Sequence, residues 1–338
     1  MEIITQSANS AWAPFRIMPW FSERPWGFSD LRPWYDRRCD GKLIGEAWLT
    51  GDQCVVASGA HAGQPLGALF AEAPEELLGP AVPRGSEGAS PLLIKVIFAK
   101  EKLSVQVHPD DKMAQKYGHP RGKTECWYVL EAEPGAQVAC GFKPGVTLDQ
   151  VKAGIEAGTL ENSLNMLPVA SGEVVFVDAG TVHAIWPGSI LLETQQNCDL
   201  TYRMYDYGRG RELHIQKSLE ATHLKTRAGK IPSRILPGRT LLMEGDYFCV
   251  ERIDVNGRRA SASLPNLGLP RLTEQEQGLQ YLFAAGGTGR IAGACFEPLE
   301  LPMGGIVAVP SASPEFVVED VLELNLIRIT PRWPEPNR

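Results

Sequence analysis

Gln106 and His108 stand two residues apart in the stretch SVQVHPDDKMAQKYGHPRGKTECWY, which runs from Ser104 to Tyr128. The stretch opens with strand-like alternation, and in a strand residues i and i+2 point to one face. An amide oxygen and an imidazole therefore project together. A turn at Pro109, Asp110 and Asp111 and a short polar segment follow, and a second strand at Thr124–Tyr128 carries the carboxylate of Glu125. Lys123, two residues before Glu125, faces the same way. A second imidazole, His183, lies in GEVVFVDAGTVHAIW, at the end of the spacing Gly172-x5-Asp178-x-Gly180-x2-His183, which reads as strand, tight turn and strand. Taken singly, a strand histidine is more often a packed or surface side chain. The shared face with Gln106 and the glycine-spaced turn lift His108 and His183 above that reading. Two imidazoles, a carboxylate and a neutral amide make a borderline-hard donor set for one divalent metal, with a position left for water. The donors alone do not choose among Zn2+, Mn2+, Fe2+ and Co2+.

The elements that must hold these donors are mostly strands. PLLIKVIFAKEKLSVQVHP gives two, the first nearly continuous in apolar residues and so expected to be buried on both faces. AQVACGF, GEVVFVDAG, TVHAIW, SILLETQQ and DLTYRMYDYG extend the β pattern. TLDQVKAGIEAGTLENSLNMLPVA is the clearest helical passage, with Thr147 as cap, Asp149 in the first turn and Gly158 dividing it in two. A short helix broken by prolines is expected at Leu66–Leu78, and another around IQKSLEAT. GKIPSRILPGRT, residues 229–240, reads as a polar connection between domains. Beyond it, short strands with frequent turns indicate a small sandwich or barrel. GGTGR at 286–290 reads as a hairpin turn rather than a phosphate cradle. The tail repeats the strand–turn–strand pattern from Leu299 to Pro310 without a histidine. Two related β-barrels, one with a metal and one without, would account for that.

With 338 residues the chain can build two domains, and 43% hydrophobic and 22% charged residues are those of an ordinary globular protein. A net charge of -7 argues against a nucleic-acid or anionic-membrane partner. No apolar run is long enough to span a bilayer, and MEIITQSANSAWAPF lacks the basic and apolar regions of a signal peptide. Seven scattered cysteines without a CxxC read as reduced thiols, which makes the cytoplasm the expected compartment.

QVHPDD, GKTECWY, the Gly172–His183 turn and QQNCDLTYRMYDYGR together closely resemble the type I phosphomannose isomerases in their short bacterial form. The resemblance extends to ERPWG and IGEAW near the start and to RELHIQKSLE later, while the C-terminal region shares only general β character. It implies a mainly β chain of two cupin-like (jelly-roll) barrels with a small helical insertion at about residues 145–170. Residues 1–235 would form the metal-binding catalytic domain, and residues 236–338 a cupin-like domain without metal ligands. Two departures from the cupin half-motifs are Gln106, where many cupins have a first histidine, and an insertion that moves Glu125 beyond the usual gap.

The resemblance implies one Zn2+ per chain on Gln106, His108, Glu125 and His183, and interconversion of mannose 6-phosphate and fructose 6-phosphate. A proton must then move between C1 and C2 through a cis-enediol, which needs a base within reach and stabilisation of the enediolate oxygen. Arg203 matches an active-site arginine of the family, with anionic oxygen as its target. Glu193 and Lys123 match a pocket acid and a pocket lysine, and the base stays unassigned among these groups and a metal-bound hydroxide. Ser104 matches a position near the phosphate, with Lys100 and Lys95 as weaker helpers. Trp26 and Trp127 could border the pocket, His119 its mouth, and His214 could support a site residue from behind. The implied partner is a small sugar phosphate, with no nucleic acid or membrane, on a monomer or homodimer. Two rivals stay open: another metal-dependent cupin enzyme, such as an Fe2+ oxygenase, and a non-catalytic sugar-phosphate-binding cupin. The first has no need of Lys123, Arg203 and Ser104; the second could discard Glu193 and Arg203.

Overall fold

The computed structural model describes residues 10–79, 88–255, 260–261 and 278–334, so the first part of the segment inspected for a leader lies outside the described residues. The chain is mainly β, and the strands of the described residues pair into sheets of ten, seven and five. Among the described residues the strand pairing closes none of these into a barrel.

The seven-stranded sheet is the middle layer. Its Leu92–Ala99 strand is buried along its whole length and lies between Ser189–Gln196 and Ile44–Trp48. One face of the sheet, with Ile94, Val96, Phe98, Tyr128 and Leu192, packs on Phe248, Tyr281, Phe283, Ile306 and Ile329 of the ten-stranded sheet. The other face, with Ile97, Trp127, Val129 and Leu191, packs on Val138, Cys140 and Ile185 of the five-stranded sheet. Covering on both sides explains the unbroken apolar run of Leu92–Ala99, although every neighbour is antiparallel. The five-stranded sheet is covered in turn by the helices Leu148–Glu156 and Ile215–Ala221. Two sheets thus face each other across a gap that polar side chains occupy at one end.

Local signals fall largely where the sequence puts them. Thr147 caps the Leu148–Glu156 helix in a reciprocal box, accepting from the Gln150 N–H while the Gln150 side chain accepts from its own N–H. The helix stops before Gly158, whose φ of 66° suits glycine. The end of that passage differs from expectation: Leu164–Pro168 is a strand paired with Gln137–Phe142. GGTGR also differs. It lies inside the long Gln280–Gly293 strand, which is bulged against Val317–Pro331 at Ala284–Gly289. A Cβ at Gly287 would stand 2.1 Å from the Leu322 carbonyl oxygen, so its glycine serves close strand approach rather than a turn.

The polar connection is itself two short strands. Gly229–Ile231 pairs with Val174–Phe176 of the seven-stranded sheet, and Arg234–Leu236 pairs with Arg239–Leu241 of the ten-stranded one. The chain therefore changes sheets between Ile231 and Arg234. The N-terminal strand Phe15–Met18 also joins the ten-stranded sheet, beside Ile306–Val309. Among the described residues no helix is long and apolar enough to cross a membrane.

Candidate active site

Register across the two facing sheets assembles the site. In the five-stranded sheet, Arg203 pairs with Gln106 and Gln106 pairs with His183. Directly opposed residues of antiparallel strands share a face, so guanidinium, amide and imidazole form one row. In the seven-stranded sheet the row is Trp127, Glu193, Lys95 and Trp48. Glu125 lies two residues before Trp127 and points the same way. His108 follows the Val105–Val107 strand directly. The two sheets bring these rows face to face.

His108, Glu125 and His183 are buried, and one donor atom from each lies within 4.8 Å of the others. Backbone carbonyls fix both rings: His108 Nδ1 donates to Leu200 O at 3.0 Å and His183 Nδ1 to Thr181 O at 2.9 Å. Each Nε2 therefore presents a lone pair inward, the tautomer a metal ligand requires. Burial pushes the pKa of His183 down to about 4, and burial with the nearby Lys123 charge pushes that of His108 well below its usual range. Both rings are neutral at physiological pH. The His183 lone pair then faces Glu125 Oε1 at 3.4 Å, and that oxygen has no hydrogen-bond partner. Two acceptors facing each other in a buried site call for a cation between them. The other carboxylate oxygen accepts from Lys123, whose ammonium also lies 2.9 Å from His108 Nε2.

Gln106 completes the set from the side. Its Nε2 lies 3.3 Å from His183 Nε2, and its Oε1 accepts from the Ser104 hydroxyl at 3.2 Å. Flipping the amide turns its oxygen toward the donor cluster and leaves the nitrogen to donate to Ser104. The residues fit a divalent metal: neutral nitrogen and hard oxygen donors converge, and one oxygen is unsatisfied.

The donors open onto a cavity of about 510 Å³ walled by Arg24, Lys95, Lys123, Arg203 and Arg211 together with Glu23, Glu46, Glu193 and Asp199. Burial works against the Lys95 proton, but Glu46, Glu193 and Asp199 outweigh it and hold the ammonium charged. Glu193 accepts from Trp127 Nε1 at 3.2 Å and lies 3.5 Å from Lys95, yet burial raises its pKa despite the two lysines. Arg24 clasps Glu46 through two hydrogen bonds of 3.2 and 3.1 Å. The Arg203 guanidinium donates to Glu212 O, and its Nε has no partner. Burial and repulsion from Arg211 and Arg24 lower its pKa. Arg211 lies over the Trp26 ring at 4.9 Å. Arg211 is paired with Asp206 as Arg24 is with Glu46, and both still repel Arg203, whose unpartnered Nε favours an anionic ligand.

Of the candidates from sequence, His108 and Glu125 join His183 in the donor cluster, and Lys95, Gln106, Lys123, His183, Glu193 and Arg203 line this cavity. Trp26 and Trp127 line it, and His214 Nδ1 accepts from the Arg203 N–H at 3.2 Å. Three candidates lie elsewhere. Ser104 is buried behind Gln106, and Lys100 is exposed off the cavity wall, as is His119. Arg24, Glu46, Asp199 and Arg211 escaped the sequence reading. Arg24 and Glu46 stand in ERPWG and IGEAW, segments that the resemblance had marked without assigning them chemistry.

Comparison with known proteins converges on one family. The family model described as phosphomannose isomerase type I, catalytic domain, matches residues 15–143. A mannose-6-phosphate isomerase of Streptococcus mutans is 34% identical over 257 residues, covering 72% of this chain and 79% of the relative. One of Bacillus subtilis is 35% identical over 271 residues, covering 74% and 81%. The crystal structure of a mannose 6-phosphate isomerase from Bacillus subtilis superposes with a TM-score of 0.79 at 29% identity, covering 94% of this chain and 99% of the other.

Proposed function

Because the chain belongs to the type I phosphomannose isomerases, we propose that its cavity interconverts mannose 6-phosphate and fructose 6-phosphate with Zn2+ held by Gln106, His108, Glu125 and His183. That it is a mannose-6-phosphate isomerase follows from its relatives; the metal and the roles below are our reading. The observation that carries them is the buried meeting of the His183 lone pair with the unpartnered Glu125 oxygen. When bound, the metal supplies a Lewis acid for the oxygens on the reacting carbons.

The chain's own groups do the rest. Arg203 sits in register with Gln106, beside the donor cluster, and its guanidinium stabilises the enediolate oxygen. Glu193 and Lys123 carry the proton. The raised pKa of Glu193 brings its carboxyl closer to the operating pH, which suits proton exchange. Lys123 now uses the same His108 lone pair that a metal would take, so loading the site frees its ammonium for substrate oxygen. Arg24 and Arg211 hold the phosphate, relieving the repulsion that they exert on Arg203. Ser104 serves the metal donors by orienting the Gln106 amide. We further propose that the divide between catalytic and C-terminal domains lies at the sheet change near residue 235.

A coupled assay tests this directly. Mannose 6-phosphate given to zinc-loaded protein should yield fructose 6-phosphate, exhaustive chelation should abolish turnover, and Zn2+ should restore it. Full activity after chelation would overturn the metal reading.

A further inference from the structure

His108 and Glu125 belong to different sheets, so no ladder of strand hydrogen bonds sets the distance between them. The Gly180 N–H on His108 O and the Lys123 ammonium between the two side chains join them locally, and the side chain of Asp111, three residues after His108, adds a tie that reaches further. Its Oδ1 accepts from the Gly122 N–H at 2.7 Å and from Gln196 Nε2 at 2.9 Å. Gln196 in turn holds both backbone groups of Thr124, accepting from its N–H at 2.9 Å and donating its own N–H to the Thr124 carbonyl at 3.1 Å. Lys123 N donates to Pro109 O at 3.0 Å. The fit is tight: a Cβ on Gly122 would stand 2.5 Å from the Asp110 carbonyl carbon. The segment leading into Glu125 is thereby fixed against the segment leaving His108.

The remaining oxygen of that carboxylate, Asp111 Oδ2, accepts a 2.7 Å hydrogen bond from the hydroxyl of Tyr247. Tyr247 lies in the turn between the strands Arg239–Glu244 and Phe248–Ile253 of the ten-stranded sheet. Its ring packs on the core that joins that sheet to the seven-stranded one. We propose that Tyr247 is a positioning residue of the metal centre: the C-terminal sheet locks Asp111 through it, and so sets the spacing of His108 and Glu125. This rests on the metal reading above. Without the hydroxyl, one oxygen of a half-buried carboxylate is free to turn to solvent, and the junction loosens without any ligand being lost.

The experiment uses the full chain. Zinc affinity is measured by competition with a chelator, and kcat and KM at saturating zinc. Tyr247→Phe should bind zinc about tenfold more weakly, the lower end of what loss of an outer-shell partner costs. It should lower kcat with little change in KM and leave the thermal midpoint of the metal-free protein close to wild type. Asp111→Ala should lose more of both, and Asp111→Asn, which keeps groups able to bond Gly122 and Tyr247, should recover most of the loss. The double variant Tyr247→Phe/Asp111→Ala should be no worse than Asp111→Ala alone, because both act through one link. Wild-type zinc affinity and kcat in Tyr247→Phe, or additive losses in the double variant, would overturn the inference and leave the metal site standing. If Tyr247→Phe does not fold, wild-type zinc affinity in Asp111→Ala overturns it equally. Wild-type protein that binds no zinc would instead remove the metal reading, and this inference with it.

Discussion

Two carboxylates are buried in neighbouring sheets of the molecule, and their surroundings differ in kind. Glu251, in the ten-stranded sheet, lies between two arginines. Arg328 Nε donates to its Oε2 at 2.8 Å, and Arg239 Nε lies 3.0 Å from its Oε1 as an ion pair without hydrogen-bond alignment. Both oxygens of Glu251 face fixed positive charge. Glu125 has one oxygen on Lys123, while the other faces the lone pair of a neutral imidazole. A buried charge neutralised on every side is architecture; one left facing another acceptor is a place for a cation. Both are single glutamates in apolar strands, ECWYV and CVERI, and their local sequence does not separate them.

The largest effects should come from the unsatisfied side of this comparison. Glu125→Ala and His108→Ala should lose the metal and lower activity by at least about 10³-fold, as several kcal/mol of transition-state stabilisation disappear. Metal analysis of the purified variants, beside the coupled assay, decides this. Stoichiometric zinc in either would dissolve the distinction drawn between Glu125 and Glu251. Next, Arg203→Ala should keep its metal and lower kcat by about 10²–10³-fold, the scale of losing one donor to an oxyanion. Near-normal turnover would remove Arg203 from the chemistry.

The satisfied side should respond in stability instead. Glu251→Ala leaves two buried guanidiniums unpaired, which costs about 3–5 kcal/mol. Denaturant unfolding should show that loss, while zinc content and kcat per folded molecule stay at wild-type values. A Glu251 variant that folds normally but drops its metal would mean that the two carboxylates do one job.

How far the site could be read in sequence follows from how each residue is placed. Gln106 and His108 share a face through a spacing of two, and His183 ends a glycine-marked turn; such signals are local and survive into the fold. Glu125 was legible as a strand carboxylate after a turn. Arg24, Glu46 and Lys95 meet through the cross-strand row Trp127–Glu193–Lys95–Trp48 and its neighbours, and Asp199 reaches Lys95 from the loop after Ser189–Gln196. Such contacts between distant segments leave no spacing in the chain, so Lys95 read only as a weak helper and the other three not at all. The same-face argument was right for Ser104, but it says nothing about depth: the hydroxyl lies behind Gln106 instead of at the cavity wall. The glycines of GGTGR carry a turn composition, yet long-range strand approach requires them. The mainly β character was legible in runs such as the buried Leu92–Ala99 strand. Strand closure was not, since it depends on pairings that local pattern does not encode.

The smallest expected effect probes the imidazoles themselves. In the folded chain His183 has its pKa lowered to about 4 by burial, against about 6.5 in an unfolded chain. Between those values the unfolded state binds the extra proton, so the stability of metal-free protein rises with pH across the window. Read the other way, stability is lost as pH falls from about 6.5 and stops falling on this account below about 4. His108, shifted in the same direction, adds to the slope. Urea midpoints of chelator-treated protein at several pH values measure it, and His183→Ala should flatten the dependence while lowering metal affinity. Bound zinc competes with the same protons, so loaded wild-type protein should hold its stability to lower pH than the metal-free form. An identical acid profile with and without metal would mean that these rings are packed neutral for reasons of their own. Glu125 would then differ from Glu251 only in lacking a second cation.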